Sequence, residues 1–168
     1  WNLLRSLQSV IPARISAHVG RSREADGDLE AGRLAPTAKI LRAAHLCAAV
    51  GRKPGKLDKV TPCRYGAPTC LVVAFDKNSA FTYPGGKRDS GMEDAAIVAT
   101  HLMLAAANAG VDSCWLNLFN PDELAKELGL PENEEVLMIL DLGYAAEGAG
   151  PLANHGSRKP LSETVAYL

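Results

Sequence analysis

The stretch "SGMEDAAIVATHLMLAAANAGVDSCWLNLFNPDELAKELGLPENEEVLMILDLGYA", Ser90 to Ala145, decides the fold. As far as Ala109 it is alanine-rich and apolar on nearly every face, and Gly110 stands where a helix-ending glycine belongs. Ser90 followed by Glu93 predicts a capping box at its start. A long, buried central helix is expected. Cys114 to Phe119 is short, apolar and aromatic, which predicts a strand. Asn120 then offers an N-cap side chain, with Pro121 at N1, Glu123 at N3 and Gly129 at the end of the next helix. "EEVLMILDLGYA", Glu134 to Ala145, predicts another buried strand.

Upstream, "TCLVVAF", Thr69 to Phe75, is β-branched and aromatic and follows Gly66 and Pro68, so it too reads as a buried strand. The order becomes strand, long helix, strand, helix, strand. These strands would form one small sheet with helices packed against it. "DKNSAFTYPGGKRD" is a polar loop. Thr37 to Val50 is made of good helix formers and is broken by Gly51, Pro54 and Gly55, so a helix is expected there. Residues 1–31, interrupted by Gly20 and Gly27, predict short helical pieces. With no repeat and no low-complexity linker, residues 1–168 are expected to form one domain.

The chain has 168 residues, 47% hydrophobic and 22% charged, which is enough for a substantial core. Eighteen basic and nineteen acidic residues leave a net charge of -1, so no global field draws the protein to nucleic acid or an anionic membrane. Any anion must be bound locally. Cys47, Cys63, Cys70 and Cys114 lack Cys-x-x-Cys spacing, and no His or Cys pair has metal-ligand spacing; reduced thiols, a cytoplasmic location and no metal are expected. "WNLLRSLQSVIPARIS" lacks the continuous apolar core of a signal peptide. Ala95 to Ala109 falls short of the roughly 20 residues that span a bilayer, so a soluble protein is expected.

Two basic motifs are candidates for phosphate. Arg158 and Lys159, beside His155, follow a glycine-rich segment and combine a guanidinium fork with a point charge. Taken alone, they read better as a solvated tail, since basic pairs are common. Arg14, Ser16 and His18 alternate, and in an extended segment they would share one face. Alone, that is an ordinary polar surface. His45 and His101 lie in apolar surroundings where a packing histidine is usual. No nucleophile elbow, dinucleotide fingerprint or Walker loop is present, which makes a bound cofactor the natural source of any chemistry.

"LEAGRLAPTAK", then "MEDAAIVATHLMLAAANAGVDSCWLNLFNPDELAKELGLPENEEVLMILDLGYAAE" and "HGSRKPLSETV", resembles the nitroreductase-like FMN flavoproteins. The specific feature is the order: alanine-rich helix, Gly-x-x-x-Cys-Trp, a phenylalanine before a Pro-Asp-Glu helix, a Leu-Gly-Tyr strand end, then His-x-x-Arg-Lys. The resemblance implies an α+β fold with a three-layer arrangement: a central, mainly antiparallel sheet flanked by helices. It implies a homodimer with FMN at the subunit interface. It further implies that NADH or NADPH reduces the flavin, which then reduces a small-molecule acceptor such as a nitro compound or quinone, with no catalytic side chain required. The alternative is a flavin-binding protein without turnover.

Carried onto this chain, the resemblance makes Arg14, Ser16 and His18 one half of a phosphate site and Arg158 and Lys159 the other. Pro36, Thr37 and Ala38 match the loop that approaches the flavin from the partner subunit. Leu116, Asn117 and Leu118 match the strand whose backbone amide faces flavin N5. Lys39 is a candidate cation for charge near N1 and O2. Ile40, Arg42, Ala43 and Ala44 stand where the family carries Asn, Gln, Pro and an aromatic residue, and the β-rich segment usual there conflicts with a helix-favouring sequence.

Overall fold

The computed structural model describes residues 15–16, 23–41, 44–50 and 55–168, with the backbone alone described for 15–16, 23–28 and 45–50. In chain order the elements are β1 (Ile15–Ser16), α1 (Arg23–Leu34), a 3₁₀ turn (Ala38–Ile40), β2 (Ala44–Val50) and a second 3₁₀ turn (Leu57–Lys59). β3 (Thr69–Asp76), α2 (Gly91–Asn108), β4 (Asp112–Leu116), α3 (Pro121–Leu128), β5 (Glu134–Ala145) and α4 (Leu161–Thr164) follow. The described residues form a five-stranded sheet in the order β1-β5-β3-β2, with β4 also paired to β5. Every strand pair is antiparallel.

The pleat sorts the side chains of β3 to opposite faces. Leu71, Val73 and Phe75 join Met138, Leu140 and Leu142 of β5 beneath α2, which contributes Ala95, Val98, Ala99, Leu102 and Ala106. Cys70, Val72 and Ala74 face the other way, with Cys114, Leu116, Ile139, Leu57 and Leu124 of α3. Helices therefore cover both faces, giving the expected three layers. Between Val73 and Ala74 the partner on β5 jumps from Met138 to Val136. The bulge keeps each face apolar on both sides of it.

α2 can lie on β3 because its first residue is glycine. A Cβ at Gly91 would stand 2.3 Å from Cδ2 and Cε2 of the Phe75 ring. α3 has the predicted ends: Asn120 Oδ1 accepts from the amides of Asp122 at 3.0 Å and Glu123 at 3.3 Å, and Gly129 closes the helix at φ 73°.

Four expectations are corrected. Thr37 to Val50 is not a helix: Ala44–Val50 is strand β2, paired along its whole length with β3 from Ala44↔Phe75 to Val50↔Thr69. Alanine's helix preference is worth only tenths of a kcal/mol per residue against its neighbours, less than the ladder of backbone bonds an unpaired β3 edge offers. The Ser90–Glu93 capping box does not form, because the Ser90 hydroxyl is used by Phe81 and Asp94. α2 is buried on one side only; Met92 is 56% exposed and Ile97 37%. Finally, β4 begins at Asp112 and ends at Leu116, so Asn117 and Leu118 follow the strand instead of lying in it.

Candidate functional site

The segment after α1 is the most unusual backbone in the described chain. Thr37 is extended, Ala38 begins a 3₁₀ turn, and Lys39 and Ile40 both take left-handed conformations, at φ 48° and 59°. Two consecutive non-glycine residues in that region, one of them β-branched, are held against a steric cost of about 1–2 kcal/mol each. Besides the turn's own backbone bonds, from the Ile40 amide to the Thr37 carbonyl and from the Leu41 amide to the Ala38 carbonyl, contacts with Asp94 and Phe81 hold them. The Ala38 amide donates to Asp94 Oδ1 of α2 at 2.8 Å, and the Lys39 ammonium lies over the Phe81 ring, 4.3 Å from its centroid. Pro36, Thr37, Ala38 and Lys39 are thus placed together at the N-terminal end of α2. Sequence reasoning missed Asp94 and Phe81; a carboxylate inside an otherwise apolar helix face was the available signal.

β4 delivers Leu116 into the core opposite Ile139 and then releases the chain. Asn117 takes up its side-chain carbonyl on the Trp115 indole N–H. Leu118 is 64% exposed. What this segment offers a ligand is main chain and an apolar surface, which suits a flat aromatic ring.

Ser16 is drawn to the end of β5 by pairing with Tyr144; Arg14 and His18 lie outside the described residues. Arg158 donates from one terminal nitrogen to the carbonyls of His155 and Ser157, both at 2.7 Å, which fixes the guanidinium. Arg33, Arg64 and Arg88 each meet a carboxylate. Among the described residues Arg158 and Lys159 meet none, and His155 buries its Nε2 without a partner. A fixed cation lacking an internal counter-ion, next to an orphaned ring nitrogen, fits a phosphate ligand.

The buried thiols are not nucleophile candidates. Burial pushes the Cys70 thiol up to about 12 and Cys114 up to about 11, so both stay protonated at neutral pH. Among the described residues no cluster of His, Cys, Asp or Glu could hold a metal ion. No described helix is long and apolar enough to cross a membrane.

The nitroreductase family model matches residues 61–144, half of the 168-residue chain. Bacillus subtilis YodC, named an NAD(P)H nitroreductase, is 30% identical over 91 residues, 54% of this chain and 43% of its own length. MhqN of the same organism, similarly named, is 30% identical over 98 residues, 58% of this chain and 45% of its own. The match therefore spans less than half of these curated relatives. A nitroreductase family protein from Clostridium difficile 630 superposes with TM-score 0.88 at 29% identity over 99% of this chain and 97% of that one. A Bacteroides fragilis nitroreductase crystallised with bound FMN has TM-score 0.75 at 23% identity, covering 99% and 97%. The fold is the one these proteins share.

Proposed function

Because the chain belongs to the nitroreductase family, we propose that it is an FMN-dependent oxidoreductase that works as a homodimer. Bound FMN would supply the hydride chemistry, taking reducing equivalents from NADH or NADPH and passing them to a nitro compound, quinone or similar acceptor in a ping-pong cycle. The observation that carries the reading is the Arg158–Lys159 pair: a guanidinium fixed by two carbonyls and a neighbouring ammonium, neither of which meets a carboxylate among the described residues.

Each group of residues then has one task. Arg158 and Lys159, with Arg14, Ser16 and His18, neutralise the cofactor phosphate. The main chain of Leu116, Asn117 and Leu118 offers a donor toward N5 that does not titrate, so it serves both oxidation states. Pro36, Thr37 and Ala38 approach the ring from the partner subunit with little side-chain bulk. Lys39 supplies positive charge where negative charge builds up on reduction. The exposed Met92, Ile97, Leu34, Ile40 and Leu41 give the apolar surface that a subunit interface requires.

An anaerobic absorbance titration tests this. The purified protein should be yellow, should bleach on adding NADPH or NADH, and should recolour when a quinone or nitro compound is admitted. A folded, dimeric but colourless protein that takes up no added FMN overturns the reading. Colour without bleaching points to flavin binding without turnover.

A further inference from the structure

We propose that Asp94, acting with Ser90, is a positioning residue that holds the strained Pro36–Ile40 turn against the start of α2 so that Lys39 is presented to the cofactor. This rests on the flavin reading above. Asp94 is 2% exposed and sits one turn into α2. A carboxylate is expensive to bury unless its oxygens are satisfied, and here each has a dedicated donor. Oδ1 accepts from the Ala38 amide at 2.8 Å, and Oδ2 accepts from the Ser90 hydroxyl at 2.8 Å.

The contacts close into a ring. Ser90 Oγ accepts from the Phe81 amide at 3.1 Å, and the Ser90 amide donates to the Phe81 carbonyl at 2.9 Å. Phe81 is thereby pinned, and its ring carries the Lys39 ammonium. Lys39 adjoins Ala38, whose amide returns to Asp94. The turn enclosed by this ring is the one with two left-handed non-glycine residues. Within the subunit Ile40 does not offset that strain by burial, since its side chain is 75% exposed. A strained conformation persists only where its surroundings over-determine it. Beside the turn's own bonds, from the Ile40 amide to the Thr37 carbonyl and from the Leu41 amide to the Ala38 carbonyl, both at 3.1 Å, Asp94 ties it down on one side of Lys39 and Phe81 beneath it.

The turn also joins α1 to β2, so it could relax without disturbing the sheet. Loss of Asp94 leaves Ala38 with an orphaned amide and frees Lys39 to leave the Phe81 ring. The consequence is specific: a displaced ammonium weakens binding of reduced FMN more than of oxidised FMN. A merely structural residue would weaken both alike.

The test compares wild type, Asp94→Ala, Asp94→Asn, Ser90→Ala, Lys39→Met and the Asp94→Ala/Lys39→Met double variant. The readouts are melting temperature, amide hydrogen exchange over 37–41, FMN affinity and flavin midpoint potential. Asp94→Ala should speed exchange in the turn and lower the affinity for reduced relative to oxidised FMN about tenfold, or about 30 mV for a two-electron couple. Lys39→Met should lower it similarly, and the double variant should fall no further. Asp94→Asn, which keeps an acceptor for the Ala38 amide, should stay near wild type. Should Asp94→Ala fold poorly, Ser90→Ala is expected to shift the potential in the same direction by less. An Asp94→Ala protein with a lower melting temperature but the wild-type potential, or a double variant whose effects add, overturns the proposal while leaving the flavin reading intact. A wild type that binds no FMN sinks that reading and this inference with it.

Discussion

At the scale of single residues, the most costly group in the described chain is Asp141. Its side chain is fully buried in β5 between Cys70 and Cys114 of the flanking strands, and neither carboxyl oxygen has a hydrogen-bond partner. Arg64 approaches from the loop before β3, but its Nε stops 3.6 Å from Oδ1. The Arg64 side chain is instead shared with Asp58 at 3.3 Å and with the Ala67 carbonyl. Desolvation outweighs this imperfect pairing and raises the Asp141 carboxyl to about 7. A raised folded-state value means that the protonated acid is favoured by folding. The stabilisation it brings is complete below the ordinary carboxylate range and is lost as pH rises through about 7. Asp141→Asn should therefore be more stable than wild type at about pH 8, by an amount of order 3 kcal/mol, and the two should converge toward about pH 4. Chemical denaturation at several pH values measures the gap. A gap of the opposite sign, or one that does not change with pH, would show that Arg64 pays for the charge after all.

At the scale of elements, packing at the start of α2 makes a separate prediction. Gly91→Ala would gain up to about 1 kcal/mol of helix propensity. Against that, the new methyl group meets the Phe75 ring at 2.3 Å, and forcing a ring within a packed core costs about 1–3 kcal/mol. The clash should win, lowering the melting temperature by several degrees; an unchanged or raised melting curve would show that Phe75 has room to swing. Legibility in the sequence follows the same division between local and distant causes. α3 could be read in advance because Asn120, Pro121, Glu123 and Gly129 write both its ends locally. β3 and β5 could be read because both their faces are covered, so unbroken apolar runs suffice. β2 could not, since its alanines favour helix and only the free edge of β3 makes it a strand. The capping box failed for a similar reason. Phe81 and Asp94 compete for the Ser90 hydroxyl, and sequence spacing does not reveal that competition. Of the candidate site, the Pro36–Lys39 turn and the basic pair were visible as residue types. Their supports were not, because the Asp94–Ala38 bond joins residues 56 positions apart.

At the scale of the whole molecule, the candidate groups come from distant parts of the chain, and this bears on assembly. The 36–39 turn is fastened to the start of α2, the 116–118 segment leaves the sheet after β4, and Arg158 and Lys159 lie near the C-terminal end. In the homodimer we propose, the turn of one subunit serves the flavin held by the other, so assembly and cofactor binding are one equilibrium. α2 presents Met92 and Ile97 outward, an exposure that an alanine-rich helix has no reason to carry in an isolated chain. Ile97→Glu should leave the fold of the subunit intact, because that position is already 37% exposed. It should nevertheless place a charge in an apolar interface and weaken association roughly 10- to 100-fold. Sedimentation and flavin absorbance recorded together distinguish the cases. If the dimer completes the site, monomer and colourless protein appear in the same proportion, and raising the protein concentration restores both dimer and colour. If monomers stay yellow, each chain holds its flavin alone and the 36–39 turn has no role across the interface.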